Sequence, residues 1–241
     1  MGEVHSMSVL EYLHSSIRLA FQKNPYRFFT EYDIHSELCR IATNFLEKRG
    51  DLFATTKDEY MVSRVHHEYP TPFRCDMNNY DFKLITEEEF NMKRKQIKGF
   101  RARRGFIDFA ILNPTFISSN NLSVVSGKRY KDLLPTLGNQ RDPVLDLAIE
   151  VVYHFAYDKP HDGITKRWVD STIQDCKKLV ALTEHELSTN VKFGRKAAMF
   201  FFSNTENKNK VERLFEFFPE SNMPFFKIVH SSKKRALTTQ E

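Results

Sequence analysis

The sequence predicts an α/β fold in which a mixed β-sheet is flanked by helices, and three features predict it. The first fifty residues carry apolar side chains at helical spacing. Two apolar runs, RGFIDFAIL (104–112) and VLDLAIEVVYHF (144–155), read as strands, the second buried on both faces. The C-terminal third then alternates strand, helix, strand, helix, strand, an order that calls for parallel crossover connections.

The elements follow in chain order. SVLEYLHSSIRLAF places Val9, Leu10, Leu13, Ile17 and Phe21 on one helical stripe, and Pro25 breaks it. TEYDIHSELCRIATNFLEKRG predicts a second helix, opened by a Thr30/Asp33 capping box, striped by Ile34, Leu38, Ile41 and Phe45, and stopped at Gly50. Glu37 lies on the border of that stripe. YMVSRVHHEYPTPF alternates enough for a strand ending at Pro70, with Glu68 near its end. Residues 74–100 form a polar excursion, helical around TEEEFNMKRKQI. Next comes the strand around Asp108, and then a long connection over 113–143 with one short helix near KRYKDLLPTL. After the strand of Glu150, a long helix spans TKRWVDSTIQDCKKLVALTEHE, followed by a strand KAAMFFFS, a helix KNKVERLFEFF and a last strand MPFFKIVHS. The expected organisation is one domain over 1–241, with N-terminal helices in 8–49, a core in 60–230 and a basic tail in 231–241.

Composition narrows the function without naming it. A net charge of +5 favours acidic partners such as nucleic acid only weakly. Cys39, Cys75 and Cys176 are widely spaced and odd in number, which suits reduced thiols of an intracellular, soluble (cytoplasmic) protein. No signal-peptide pattern opens the chain and no apolar run approaches membrane-spanning length.

The chemistry concentrates in acids embedded in apolar strands. A buried carboxylate needs a partner, a raised pKa or a cation. Asp108 and Glu150 are the sharpest cases, with Glu68 beside them. On neighbouring strands, Asp108 and Glu150 offer oxygen ligands to one hard divalent ion such as Mg2+, with Mn2+ as a substitute. The rival reading pairs Asp108 with Arg103 or Arg104, lets Glu68 face solvent and makes Glu37 an ordinary surface glutamate.

The order of a helix with Glu37, then HHEYP, GFID, AIEV and a helix carrying Gln and Lys resembles the restriction-endonuclease-like superfamily, the PD-(D/E)xK nucleases, over roughly residues 30–205. The resemblance implies a restriction-endonuclease-like mixed sheet and magnesium-dependent hydrolysis of phosphodiester bonds, in DNA in preference to RNA. It makes Asp108 and Glu150 metal ligands, with Glu68 and Glu37 as auxiliary acids. The chain departs from the pattern at Val152, where the family has lysine. With Val169, Ile173, Cys176 and Val180 as the inward stripe of the following helix, Lys177 and Lys166 fall on its flank and Lys178 points outward. Lys177, then Lys166, is therefore the expected migrated lysine. Gln174 lies further round as a substrate contact, and His154 is a further substitute. The rival is a nuclease-like module that binds nucleic acid or a protein without cutting. The run KRKQIKGFRARR packs seven cations into 93–104, and Arg101, Arg103 and Arg104 are its expected phosphate contacts, with Lys166 beside them. Cutting both strands of a duplex commonly needs two sites, so a homodimer is compatible with this reading.

Overall fold

Ser8 opens the first helix, α1 (Val9–Lys23), with a capping box: its hydroxyl accepts from the Glu11 amide, and Glu11 accepts from the Ser8 amide. Thr30 and Asp33 do the same for α2 (Glu31–Glu47), as the sequence leads one to expect. The structure is a computed structural model describing residues 7–76, 84–85, 87–99, 102–127, 142–154, 166–184, 186–188, 191–203 and 225–229. The helix expected at KNKVERLFEFF, the one expected at KRYKDLLPTL and the basic tail lie outside the described residues.

A small hairpin, β1 (Phe53–Thr55) with β2 (Met61–Ser63), precedes the long strand β3 (Val65–Asp76). The single strand expected to end at Pro70 thus splits at Arg64 and continues past Pro70. The proline is tolerated because the ladder is irregular between Pro70 and Arg74. Its ring also lies against Gly127, where an added Cβ would come 2.6 Å from Pro70 Cγ. The polar excursion contributes β4 (Leu84–Ile85) and α3 (Glu87–Gln96). After β5 (Ala102–Leu112) come two short helices, α4 (Pro114–Ser119) and α5 (Leu122–Val125). Then follow β6 (Leu145–His154), α6 (Lys166–Glu184), the hairpin strands β7 (Glu186–Ser188) and β8 (Val191–Lys192), β9 (Ala197–Ser203) and β10 (Phe225–Val229).

Six strands form one sheet in the order β10-β9-β6-β5-β3-β4. The β10–β9 and β9–β6 pairs are parallel and the remaining pairs antiparallel, so the sheet is mixed. Alternation divides the core in two. One face sends Phe109, Ile111, Leu147, Ile149, Phe200 and Phe202 against α1 and α2, while the other sends Ala110, Ala148, Val152, Met199 and Phe201 against α6.

Arg64 is buried where β2 gives way to β3, and its guanidinium explains the break. Nε donates to the Leu112 carbonyl at 2.9 Å, one terminal nitrogen donates to the Asp51 carbonyl at 2.9 Å and pairs with the Asp51 carboxylate, and the other donates to Asp146 at 2.7 Å. This accounts for Asp146, the third polar residue inside the β6 run. Arg64→Met leaves Asp146 with only its 3.5 Å pair to Arg195 and strands two carbonyls, so a loss of about 3 kcal/mol is expected in thermal or denaturant unfolding. A change below about 1 kcal/mol would show that the hairpin does not depend on this network.

Candidate metal and acid site

The site begins where two strands part. β5 and β6 pair in antiparallel register up to Phe109↔Ile149. Beyond that rung β6 stays with β9, as β5 stays with β3, and a fork opens in the sheet. Continued one step, the same register sets Asp108 opposite Glu150. Backbone groups at a fork lose their ladder partners and must find others. Asp108 Oδ2 accepts from the Val151 amide at 2.8 Å on one arm, and Lys178 Nζ donates to the Phe106 carbonyl at 2.6 Å on the other.

Glu150 is buried, and its carboxyl lies near enough to Asp108 for the Asp108 charge to disfavour its ionisation. Its Oε1 lies 2.8 Å from Lys178 Nζ. Lys178 also donates to Asp175 Oδ1, one helical turn earlier, at 3.1 Å. Lys178 thus directs two N–H donors at Phe106 and Asp175 and pairs ionically with Glu150, whose Oε1 makes no hydrogen bond.

Burial pushes the Asp108, Glu150 and Asp175 carboxyls above the usual range, opposed in each case by Lys178 and for Asp108 first by the Val151 amide. Burial works against charge on Lys178 too, but Glu150 and Asp175 outweigh it and hold its pKa above that of a free lysine. Lys178 is therefore a fixed cation at neutral pH.

The helix α2 approaches the same fork from the opposite face of the sheet. His35 Nε2 is buried, makes no hydrogen bond, and lies 3.7 Å from Asp108 Oδ2 and 3.8 Å from Glu31 Oε1. His35 Nδ1 and His67 Nε2, on β3, are 2.7 Å apart and share one hydrogen. Burial, with His67 adding to it, lowers the His35 pKa to about 4, so the ring is neutral. Burial, then Asp108 and Asp175, push Glu31 up to about 8. The donor set fits a cation. Ligand atoms of Glu31, His35 and Asp108 lie within 4.8 Å of one another, and the His35 nitrogen has no other partner.

Asp108 and Glu150 thus come together, with Glu68 nearby. Glu68 falls between the rungs His67↔Phe109 and Tyr69↔Ile107, so the ladder sets it beside Asp108 on β5. Its φ of 52° is left-handed, a turn that lets both His67 and Glu68 meet α2, where the Tyr32 hydroxyl donates to Glu68 at 3.3 Å.

Other expected residues are placed elsewhere. Lys177 is exposed and Lys178 buried, the reverse of expectation. The buried stripe of α6 runs through Thr172, Cys176, Leu179 and Leu182, and it turns Asp175 and Lys178 towards the sheet. Glu37 accepts from Arg27 at 3.0 Å and from Arg40 at 2.9 and 2.7 Å, and its carboxylate is held low by them; it is a structural anchor of α2. Gln174 is partly buried, and no hydrogen bond joins it to the cluster among the described residues. Arg101 lies outside the described residues; Arg103 and Arg104 fall in β5 and Lys166 starts α6, but their side chains are also outside them. Val152 packs into the core beside α6.

His35, Glu31, Asp175 and Lys178 are the site residues that sequence reasoning missed. The signal for the first two was an acid and a histidine four apart on one helix face, and for the others an acid and a lysine three apart. No protein-family model, curated protein or solved structure matches this chain. No helix among the described residues is long and apolar enough to cross a membrane.

Proposed function

We propose that the chain is a divalent-metal-dependent nuclease of restriction-endonuclease-like, PD-(D/E)xK type, acting on DNA in preference to RNA. The observation that carries this reading is the meeting of Asp108 and Glu150 at the fork between β5 and β6. Two adjoining carboxyls ionise together only with positive charge beside them, and the Lys178 ammonium is one charge shared among three acids, Asp108, Glu150 and Asp175. The antiparallel β3-β5-β6 unit followed by parallel β9 and β10 supports the same fold assignment. Asp108 and Glu150 would hold the divalent cation, which supplies charge to a reacting phosphate and acidifies bound water. Glu68 stands at the exposed edge as an auxiliary acid.

Lys178, in place of Lys177, takes the part of the lysine missing at 152. It keeps its proton, so it is no general base; it fixes the Glu150 carboxylate through their 2.8 Å ion pair. A second reading, a nuclease-fold module that binds without cutting, is favoured by one fact: Lys178 is already committed to the Phe106 carbonyl, to Asp175 and to its ion pair with Glu150.

Purified protein with Mg2+ or Mn2+ and single-stranded, duplex and branched DNA and RNA separates the two. Metal-dependent cleavage supports the enzyme, and binding without cleavage of any substrate supports the module. The basic run bears on both. Replacing Arg101, Arg103 and Arg104 with glutamate is expected to weaken binding and to flatten the plot of log affinity against log salt by about one unit for every phosphate no longer neutralised. An unchanged slope would exclude this run as the footprint.

A further inference from the structure

His35 is 4% exposed, and its Nε2 is aimed between two carboxylates it does not bond. Either proton arrangement leaves that nitrogen unmet. If Nδ1 carries the hydrogen, it donates to His67, and the Nε2 lone pair faces Asp108 at 3.7 Å and Glu31 at 3.8 Å, beyond hydrogen-bond reach even of a protonated carboxyl. If Nε2 carries the hydrogen, Asp108 at 3.7 Å and Glu31 at 3.8 Å are too far to accept it. A cation resolves the first arrangement, since it gives the unpartnered Nε2 and the two carboxyl groups one common partner. Two ligands about 2.1 Å from one ion at tetrahedral angles are about 3.4 Å apart, so small side-chain movements close the set.

We infer that Glu31, His35 and Asp108 form a second cation position that takes a first-row transition-metal ion in preference to Mg2+. It rests on the reading above in sharing Asp108 with the Glu150 position, but it uses a different helix and a different ligand chemistry. Imidazole nitrogen suits transition metals, whereas Mg2+ keeps to oxygen and water. His67 is a positioning residue: by accepting from His35 Nδ1–H it fixes the tautomer that presents Nε2 to the ion. Glu31 is half-exposed, which leaves a path from solvent.

Calorimetric titration of the chelator-stripped full chain with Mn2+ and with Mg2+, together with pulsed EPR on the bound Mn2+, tests this. Mn2+ is expected to bind at least about tenfold more tightly than Mg2+ and to show nitrogen coupling. His35→Ala is expected to remove the coupling and lower Mn2+ affinity at least about tenfold, while changing Mg2+ affinity by less than about twofold. Glu31→Gln should weaken Mn2+ binding with the coupling retained, and it serves as the second variant should His35→Ala fail to fold. Absence of nitrogen coupling in the wild type, no Mn2+ binding, or unchanged Mn2+ affinity in both variants overturns the inference. The nuclease reading fails separately: if the wild-type chain cuts none of the DNA or RNA substrates with Mg2+ or Mn2+, that reading falls while the nitrogen coupling stands.

Discussion

Replacing Lys178 with methionine is expected to abolish metal-dependent cleavage and to cost about 3–5 kcal/mol of stability, because it leaves a buried carboxylate without its counter-charge. Glu150 would lose its 2.8 Å ion pair, Asp175 its 3.1 Å partner and Phe106 the donor to its carbonyl. The matched control is Lys177→Met. That side chain is exposed, so its removal should stay within about 0.5 kcal/mol and spare cleavage. Thermal denaturation and a cleavage assay on both variants check the pair, and a larger effect at 177 than at 178 would reverse the assignment.

Asp108→Asn should lower cleavage by at least about a thousandfold while leaving nucleic-acid binding intact. Asparagine keeps a carbonyl oxygen to accept from the Val151 amide, so the fork should hold its shape, and the charge that helps to bind a cation is gone. Glu150→Gln should lower cleavage as much but also cost stability, because Lys178 keeps only Asp175 of its two ionic partners. Phosphate contacts made by the basic run are untouched in both variants. Cleavage at the wild-type rate in Asp108→Asn would exclude a metal role for this residue.

The sequence made some of this legible and hid the rest for identifiable reasons. The stripes of α1 and α2 stand out because each helix has one apolar face and a capping box, and β6 and β9 because their runs are apolar on both faces. Asp108 and Glu150 stand out because apolar residues surround both. The rule that polar residues point outward puts the wrong face of α6 against the sheet. Its buried side includes Thr172 and Lys178, so the stripe through Cys176 is rotated from the one drawn through Ile173 and Val180. Lys178 faces inward because carboxylates and a carbonyl wait there, a condition set by strands distant in sequence. The break at Arg64 was hidden likewise, since its partners Asp51, Leu112 and Asp146 come from separate parts of the chain. Glu37 shows the converse: helical position alone could not tell a ligand from an anchor, and Arg27 and Arg40 decide it.

The most direct measurement is a crystal structure of the full chain soaked in Mn2+, read from the anomalous signal. Density for an ion at about 2.0–2.3 Å from carboxylate oxygens of both Asp108 and Glu150, with the Lys178 ammonium still paired to Glu150, is the expected result. At saturating Mn2+, no ion at the fork, or Asp108 and Glu150 turned to partners of their own, would contradict a shared metal site.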